Sequence, residues 1–185
     1  MIRLFAALAI PPEIGLNLQS RQVGIGSARW RPLDALHITL RFFGEIREDA
    51  ARDLDQALLE LAVAPFEVVL EGAGSFSEGD EVSAVWAGVA ENAALKRLAA
   101  ACERAARQAG LKHDPRRYRP HVTLAYLKRA EPAQVATWLE ANARLQSPPI
   151  PISSFQLYSS LLSPEGSRYR VEASYPLIEP YDATA

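Results

Sequence analysis

The sequence predicts an α+β fold, with antiparallel sheets and flanking helices arranged as two similar lobes around a central cleft. Segments of strand-like composition alternate with segments of helical spacing, yet several neighbouring strands are joined too tightly for parallel crossovers. The phrase His-aliphatic-Thr-Leu occurs twice, at residues 37–40 and 121–124, once in each half of the chain. No change of composition marks a linker between the halves, so we expect one domain, residues 1–185, of two intertwined lobes.

The first third of the chain predicts two strands and two helices. Residues 3–10 are short and apolar, which favours a strand, and two prolines then open a helix over residues 13–23. A second strand is expected within residues 30–44, centred on the first motif and closed by a glycine. Leucines 54, 58 and 61 have the spacing of an amphipathic helix over residues 49–62.

The rest of the chain continues the alternation. Its predicted elements are a hairpin of strands 66–71 and 82–89 around an acidic turn at 78–81, a helix at 92–109, a strand at 121–127, a helix at 132–143, a proline-rich connection at 148–151, and strands 154–162 and 168–175 around a turn at 163–166. Helical spacing places Cys102 on the packed face of its helix. Residues 181–185 are expected to form a mobile tail.

Composition and charge exclude several classes of protein. The single cysteine cannot form an internal disulfide, and the N-terminal apolar run lacks the features of a signal peptide. No stretch approaches the roughly 20 apolar residues that cross a bilayer, so we expect a cytoplasmic protein without membrane contact. The net charge of −2 argues against a surface that coats nucleic acid, but leaves room for a small nucleotide or one RNA end.

The two motifs offer the chemistry of an acid–base site. On an extended strand, His37 shares a face with Thr39, and His121 shares a face with Thr123. Two imidazoles across a cleft can divide the work of acid and base, and two hydroxyls can hold the oxygens of an anion. A single copy would be a weak signal, since most histidines in strands have no catalytic role, but a second copy in the other half argues against coincidence. This arrangement suits the chemistry of phosphate esters.

Arginines precede both motifs. Arg29 and Arg31 come before His37, and three more, at positions 116, 117 and 119, come before His121. Any one of them is expected to be a solvated loop residue, but their recurrence predicts a rim that attracts anions.

The motifs and their flanking phrases resemble the 2H phosphoesterase superfamily, and within it the RNA 2′,3′-cyclic phosphodiesterases, historically called 2′-5′ RNA ligases. The phrases that carry the resemblance are residues 3–8 followed by Pro11, Trp30 upstream of 36–45, 119–125, and 155–160 with Gly166 and Tyr169. The resemblance implies a bilobal fold and hydrolysis of RNA or nucleotide 2′,3′-cyclic phosphates to a 2′-phosphate, without a metal or other cofactor. It also implies that His37 is the general acid and His121 the general base, with Thr39 and Thr123 on the phosphoryl oxygens. The pseudo-symmetry leaves the two histidine roles exchangeable, and the reverse reaction would be 2′-5′ RNA ligation.

One position departs from the family pattern. A basic residue often follows the position of Ala125 in this branch, whereas this chain has Tyr126. Arg41, Lys128 or an arginine before His121, such as Arg119, is a candidate replacement, and the sequence does not choose among them. Phe42 occupies the matching offset in the first copy, so both aromatic residues are candidates for packing or for stacking on a base.

Three other functions remain open at this stage. A metal hydrolase would gather His113 with the two motif histidines around zinc, but neither motif has the spacing of a helical zinc site. A protein of the same fold could bind a nucleotide or RNA end without turnover. The same chemistry could also act on a cyclic phosphate derived from ADP-ribose or on a 2′-5′ linked oligonucleotide. A cleft closed by its own two lobes favours a monomer.

Overall fold

The alternation of strands and helices produces one large antiparallel sheet covered by helices. The computed structural model describes residues 1–163 and 166–179. Its elements are β1 Ile2–Ala9, α1 Pro12–Gln19, β2 Arg29–Trp30, a 3₁₀ turn Leu33–Ala35, β3 His37–Ile46, α2 Glu48–Leu59, β4 Phe66–Val68, β5 Leu70–Glu78, β6 Glu81–Val89, α3 Ala93–Gln108, β7 His121–Tyr126, α4 Pro132–Asn142, β8 Ile150–Ile152, β9 Ser154–Ser163 and β10 Gly166–Pro176. The predicted α+β class with antiparallel sheets is confirmed.

The helix predicted at 92–109 shows why its sequence folds as it does. Asn92 is the N-cap, and its side-chain oxygen accepts a hydrogen bond from the backbone N–H of Leu95 at 2.9 Å. Leu95, Leu98 and Cys102 lie on the packed face and are fully buried. The prediction for Cys102 is therefore confirmed, and burial raises the pKa of its thiol to about 12.

Several boundary predictions differ from the structure: the helix predicted over 13–23 ends at Gln19, and the one predicted over 49–62 ends at Leu59. Three further predictions were wrong for identifiable reasons. Gly44 does not close its strand: it lies inside β3 with φ +80°, a conformation that glycine adopts without strain, and the strand continues to Ile46. The proline-rich connection contains β8, which pairs with β4 in a separate two-stranded sheet. The hairpin strand therefore begins at Leu70 rather than at residue 66.

The order of strands brings the two motifs together at the centre of the sheet. The eight-stranded sheet runs β10-β9-β1-β3-β7-β6-β5, with β2 pairing on β7. The motif strands β3 and β7 are neighbours, yet only Ile38 and Val122 pair in register. One half of the sheet therefore contains the first motif and the other half contains the second, and the two halves meet at this single pair.

The aliphatic residues of both motifs anchor the site in the core. Ile38, Leu40, Val122 and Leu124 are each no more than 3% exposed. Burial of such a side chain contributes about 1.5–3 kcal/mol, so each motif strand is held firmly on its inner face. The opposite face presents His37, Thr39, His121 and Thr123, all partly exposed.

A β-bulge follows the threonine in both motifs. Ala7 pairs with Thr39 while Ala6 pairs with Arg41, so Leu40 is an extra residue in β3. Trp86 likewise pairs with Thr123 while Val85 pairs with Ala125, so Leu124 is an extra residue in β7. A bulge changes which residues face each side, and it turns Phe42 and Tyr126 to the face that carries the histidines.

Two features of the chain ends and helices complete the description. The tail predicted at 181–185 and positions 164 and 165 of the predicted turn lie outside the described residues. None of the helices in the described ranges is both long enough and apolar enough to span a membrane.

Candidate active site

The Ile38–Val122 pair brings the two motifs side by side. His37 and Thr39 flank Ile38 on β3, and His121 and Thr123 flank Val122 on β7, on the face opposite those two buried side chains. The charge of His121 lowers the pKa of His37, so the two rings lie within electrostatic reach of each other. The four side chains therefore share one face of the sheet around this single pair.

His37 is held by an aromatic wall and one backbone hydrogen bond. Its ring centroid lies 4.9 Å from that of Phe5, 6.2 Å from that of Tyr158 and 5.2 Å from that of Tyr169, which it meets edge-on. Its Nδ1 donates a hydrogen bond of 2.9 Å to the carbonyl oxygen of Ala35, in the 3₁₀ turn just before the strand. Because a carbonyl only accepts, this bond fixes the proton on Nδ1 of the neutral ring and leaves Nε2 to exchange protons.

His121 repeats this arrangement. Its Nδ1 donates a hydrogen bond of 2.6 Å to the carbonyl oxygen of Arg119, again two residues upstream. Phe76 meets the ring edge-on at 4.8 Å, and the Trp86 ring lies 5.8 Å away. Trp86 can take this position because residue 74 is glycine: a Cβ there would lie 2.2 Å from the indole.

Burial controls the protonation of both rings. The pKa of His37 falls to about 4, mainly because burial disfavours the charged ring; the charges of Arg31 and His121 act in the same direction, against the hydrogen bond to Ala35. Burial also lowers the pKa of His121, against the hydrogen bond to Arg119. Both imidazoles are therefore mostly neutral at neutral pH in the free protein.

Arg41 is not brought to the imidazoles. The bulge at Leu40 turns it to the helix-covered face, where its guanidinium bonds Glu103, the carbonyl oxygen of Lys112 at 2.8 Å and, at 3.4 Å, Asp114. Strict alternation along the strand would have placed it beside Thr39. Its donors are thus engaged on the other side of the sheet.

Of the remaining predicted binding residues, Phe42 and Tyr126 share the sheet face of the motif histidines. Phe42 faces the cleft beneath the guanidinium of Arg3, whose Cζ is 4.9 Å from the ring centroid. Tyr126 is 41% exposed and faces the cleft as well. Arg119 and Lys128 have exposed side chains, and the carbonyl oxygen of Arg119 orients His121.

Arg31 is the residue that the sequence placed only loosely, on an anion-attracting rim. It is 5% exposed, and its Cζ lies 5.5 Å from the ring centroid of Tyr126 and 5.3 Å from that of Tyr169. The signal for it was the alternation of Arg29, Trp30 and Arg31 on an extended segment, which turns both arginines to one face. The guanidinium of Arg31 therefore lies next to Tyr126, the residue that stands where the family pattern often has a basic residue.

His113 lies apart from the two motif histidines. Its Nδ1 is 2.7 Å from Glu103, on the helix-covered side of the sheet where Arg41 is bound. In residues 1–163 and 166–179, no three His, Cys, Asp or Glu side chains gather in a group that could hold a metal ion.

Comparisons with known proteins agree with this geometry. A family model described as the 2′-5′ RNA ligase superfamily matches residues 15–162. The RNA 2′,3′-cyclic phosphodiesterase of Archaeoglobus fulgidus is 28% identical over 172 residues, which cover 91% of this chain and 97% of the relative. The enzyme of the same name from Aeropyrum pernix is 34% identical over 137 residues, covering 72% of this chain and 77% of the relative.

Solved structures show the same fold. A protein from Thermus thermophilus superimposes with a TM-score of 0.80 and 25% identity, covering 97% of this chain and all of the other. Escherichia coli LigT bound to 3′-AMP gives a TM-score of 0.76 and 25% identity, with 95% and 98% coverage. The resemblance carried by the two motifs is thereby confirmed, and the chain belongs to the 2′-5′ RNA ligase superfamily.

Proposed function

We propose that this protein hydrolyses 2′,3′-cyclic phosphates on RNA ends or nucleotides and leaves a 2′-phosphomonoester. The observation that carries the proposal is the pair of imidazoles on adjacent strands, each next to the Ile38–Val122 pair and each fixed through Nδ1. The names of the relatives support the choice of substrate, since they are RNA 2′,3′-cyclic phosphodiesterases.

The reaction requires proton transfers on opposite sides of phosphorus. His121 takes a proton from water as the water oxygen bonds to phosphorus, and His37 gives a proton to the 3′ oxygen of ribose as its bond to phosphorus breaks. The product is a 2′-phosphate with a free 3′-hydroxyl. Since burial disfavours the protonated form of His37 in the free protein, this assignment requires the negative charge of the substrate to raise the pKa of His37 on binding.

Thr39 and Thr123 complete the site as donors to the non-bridging oxygens. Charge builds on these oxygens as the water attacks, and hydroxyl groups already oriented by the strands stabilise it without reorganisation. Both threonines lie on the same sheet face as the imidazoles, beside the Ile38–Val122 pair, which supports their role toward a phosphoryl group held between the imidazoles.

The same site would join RNA ends when an RNA 5′-hydroxyl replaces water as the nucleophile. His121 then takes the proton of the 5′-hydroxyl as its oxygen bonds to phosphorus, and His37 protonates the departing 3′ oxygen, which leaves a 2′-5′ diester and a free 3′-hydroxyl. Cleavage of that diester by the 3′-hydroxyl is the microscopic reverse, in which the two histidines exchange roles. In dilute aqueous solution, hydrolysis is expected to dominate because water is in large excess.

The test is incubation of the protein with 2′,3′-cyclic AMP in EDTA, with the product identified by ³¹P NMR. We expect a 2′-monophosphate, and we expect His37→Ala and His121→Ala each to lower turnover by about 100-fold to 10,000-fold, the usual contribution of general acid–base catalysis. His113→Ala is the matched control, since that histidine lies on the other side of the sheet and should retain wild-type turnover.

Several outcomes would overturn the proposal. Wild-type turnover in both motif variants would show that the two histidines are not the acid–base pair. A 3′-monophosphate product would show that the 2′ oxygen, not the 3′ oxygen, is the leaving group. Loss of activity in EDTA that zinc restores would favour metal chemistry. A tight dissociation constant for the nucleotide with no turnover would favour a binding protein of this fold.

A further inference from the structure

Arg31 is a buried cation with an unused donor. The residue is only 5% exposed, and its Nη2 is buried without a hydrogen-bond partner among the residues that the structure describes. A buried N–H group of a charged side chain without a partner costs free energy, so such groups are rare unless a ligand completes them. The feature therefore points to a ligand of opposite charge.

The backbone of Arg31 is fixed on the second motif strand. Its N–H donates a hydrogen bond of 2.8 Å to the carbonyl oxygen of Leu124, and its own carbonyl oxygen accepts one of 2.8 Å from the side-chain amide of Gln22. The guanidinium then lies between the rings of Tyr126 on β7 and Tyr169 on β10. Contacts to rings from both halves of the sheet hold the planar group in one orientation.

This position lies at the His37 end of the cleft. The Tyr169 ring, 5.3 Å from the Arg31 Cζ, is itself 5.2 Å from the His37 ring. The charge of Arg31 is also close enough to His37 to disfavour a second positive charge there. Arg31 and His37 therefore share the Tyr169 ring as a neighbour and interact electrostatically.

We propose that Arg31 binds the phosphoryl group of the substrate, with Nη2 donating to a non-bridging oxygen on the His37 side. This inference rests on the proposed function for its substrate, a cyclic diester that carries one negative charge. Arg41 cannot take this role, because Glu103 and Asp114 bind its guanidinium on the other face of the sheet. Phosphate bound here offsets the charge of Arg31 and so favours protonation of His37.

The first test measures binding of inorganic phosphate, independently of turnover. The imidazole resonances of His37 are followed by NMR during phosphate titrations of wild type, Arg31→Gln, Arg31→Lys and Arg52→Gln. We expect the phosphate dissociation constant to rise by about 10-fold to 100-fold in Arg31→Gln, the loss of one charge-assisted hydrogen bond. Arg52→Gln removes an exposed charge on α2 and is the control, for which we expect less than about a threefold change.

The second readout separates binding from packing. In the absence of phosphate, Arg31→Gln should raise the pKa of His37, because the neighbouring positive charge is gone. Turnover of 2′,3′-cyclic AMP should show a KM increased in parallel with the phosphate dissociation constant. Arg31→Lys keeps the charge but lacks the planar fork, so we expect its phosphate affinity to fall between those of wild type and Arg31→Gln.

The outcomes distinguish the two proposals. If Arg31→Gln lowers thermal stability but leaves phosphate affinity and KM within about threefold of wild type, Arg31 is a structural contact and this inference is wrong, while the proposed function stands. If phosphate binds through Arg31 but wild type does not hydrolyse 2′,3′-cyclic AMP, the proposed function is wrong and the anion site stands. If Arg31→Gln does not fold, Arg31→Lys becomes the test. Wild-type phosphate affinity in Arg31→Lys would show that the planar guanidinium is not needed to bind phosphate.

Discussion

The two motif histidines make the same local hydrogen bond, which determines the ring nitrogen that exchanges protons. Each Nδ1 donates to the carbonyl oxygen two residues upstream, of Ala35 in one motif and of Arg119 in the other. The bond sets the tautomer and the ring plane, so that Nε2 of each ring is the nitrogen that exchanges protons. The H-x-T spacing supplies the residues, and the turn before each strand supplies the orientation.

The lowered pKa values of both histidines predict an acidic optimum. Acid–base catalysis requires one proton on the pair of imidazoles, and the singly protonated pair is most populated between its two apparent pKa values. In the free protein that proton lies mainly on His121, and the negative charge of the substrate must shift it to His37 for the proposed roles. The lower value is about 4, and the upper value lies below the ordinary 6.5. We therefore expect kcat/KM for 2′,3′-cyclic AMP to peak between these limits and to fall toward neutral pH. A profile centred above about pH 7 would contradict the burial of the pair in the free protein.

Substitution of either motif threonine is expected to lower turnover less than substitution of a motif histidine. Thr39→Val and Thr123→Val keep the shape of the side chain but remove a donor to the phosphoryl oxygens, and each should lower kcat by about 100-fold to 1,000-fold. Thr137→Val is the matched control, since Thr137 is exposed on α4. Steady-state kinetics will show whether the loss lies in kcat, as expected for charge that develops in the transition state, or in KM.

At the scale of elements, the bulges decide which residues of the motif strands reach the site. The sequence predicted the strands and the shared face of His37 and Thr39 correctly, because two-residue alternation holds over that short span. It did not predict the turn of Arg41 to the opposite face, since the extra residue at Leu40 is defined by pairing with Ala6 and Ala7, far away in sequence. The strand β8 escaped prediction for the same reason, because only its pairing with β4 makes it a strand.

Substitution of Arg41 is expected to reduce the stability of the protein more than its catalytic activity. Its side chain is 10% exposed, and those of Glu103 and Asp114 are 20% and 18% exposed. Arg41→Met leaves both carboxylates without this partner, although His113 still contacts Glu103 and Arg116 still binds Asp114. We therefore expect a loss of about 2 kcal/mol in urea unfolding, less than the cost of a fully unpaired buried charge. Arg47→Met is the control, because its pair with Asp49 is well exposed, and we expect a change of less than about 1 kcal/mol. A similar small change in Arg41→Met would show that this network does not support the fold.

The Arg41 variant also separates the two faces of the sheet. The ion pairs of Arg41 with Glu103 and Asp114 tie β3 to the loop that leads into β7. Arg116 also binds Asp114, and this hydrogen bond lowers the pKa of Asp114 to about 2. Below the unfolding transition, kcat/KM of Arg41→Met should remain within about tenfold of wild type, because the guanidinium does not face the imidazoles. A loss comparable to that of the histidine variants would instead place Arg41 in the catalytic site.

At the scale of the whole molecule, the site is a product of the contact between the two halves of the sheet. The histidines could be predicted because each motif carries its own pair of side chains. Arg31 could not be placed, since its environment joins Tyr126 of one half to Tyr169 of the other. The two rings come from segments far apart in the chain, and a local pattern contains no information on their distance.

The same burial that tunes the site predicts how stability of the whole protein depends on pH. In the unfolded chain His37 takes up a proton near its ordinary pKa of 6.5, whereas in the folded protein it does so only at about 4. Between these values the unfolded state binds more protons, so the free energy of unfolding falls as pH is lowered. The loss is about 1.4 kcal/mol per pH unit, or about 3 kcal/mol over the whole window, and burial of His121 adds to it.

His37→Gln isolates this contribution, since the other titrating groups remain. Urea unfolding of wild type and variant across the window from about pH 7 to about pH 4 should give curves that converge or cross as pH falls, with wild type losing about 3 kcal/mol more than the variant. Above the ordinary pKa of histidine the difference between the two proteins should be constant, because neither state of wild type then binds the proton. Parallel curves through the whole window would mean that His37 titrates normally in the folded protein, and the acidic optimum of kcat/KM would have to be explained by another group.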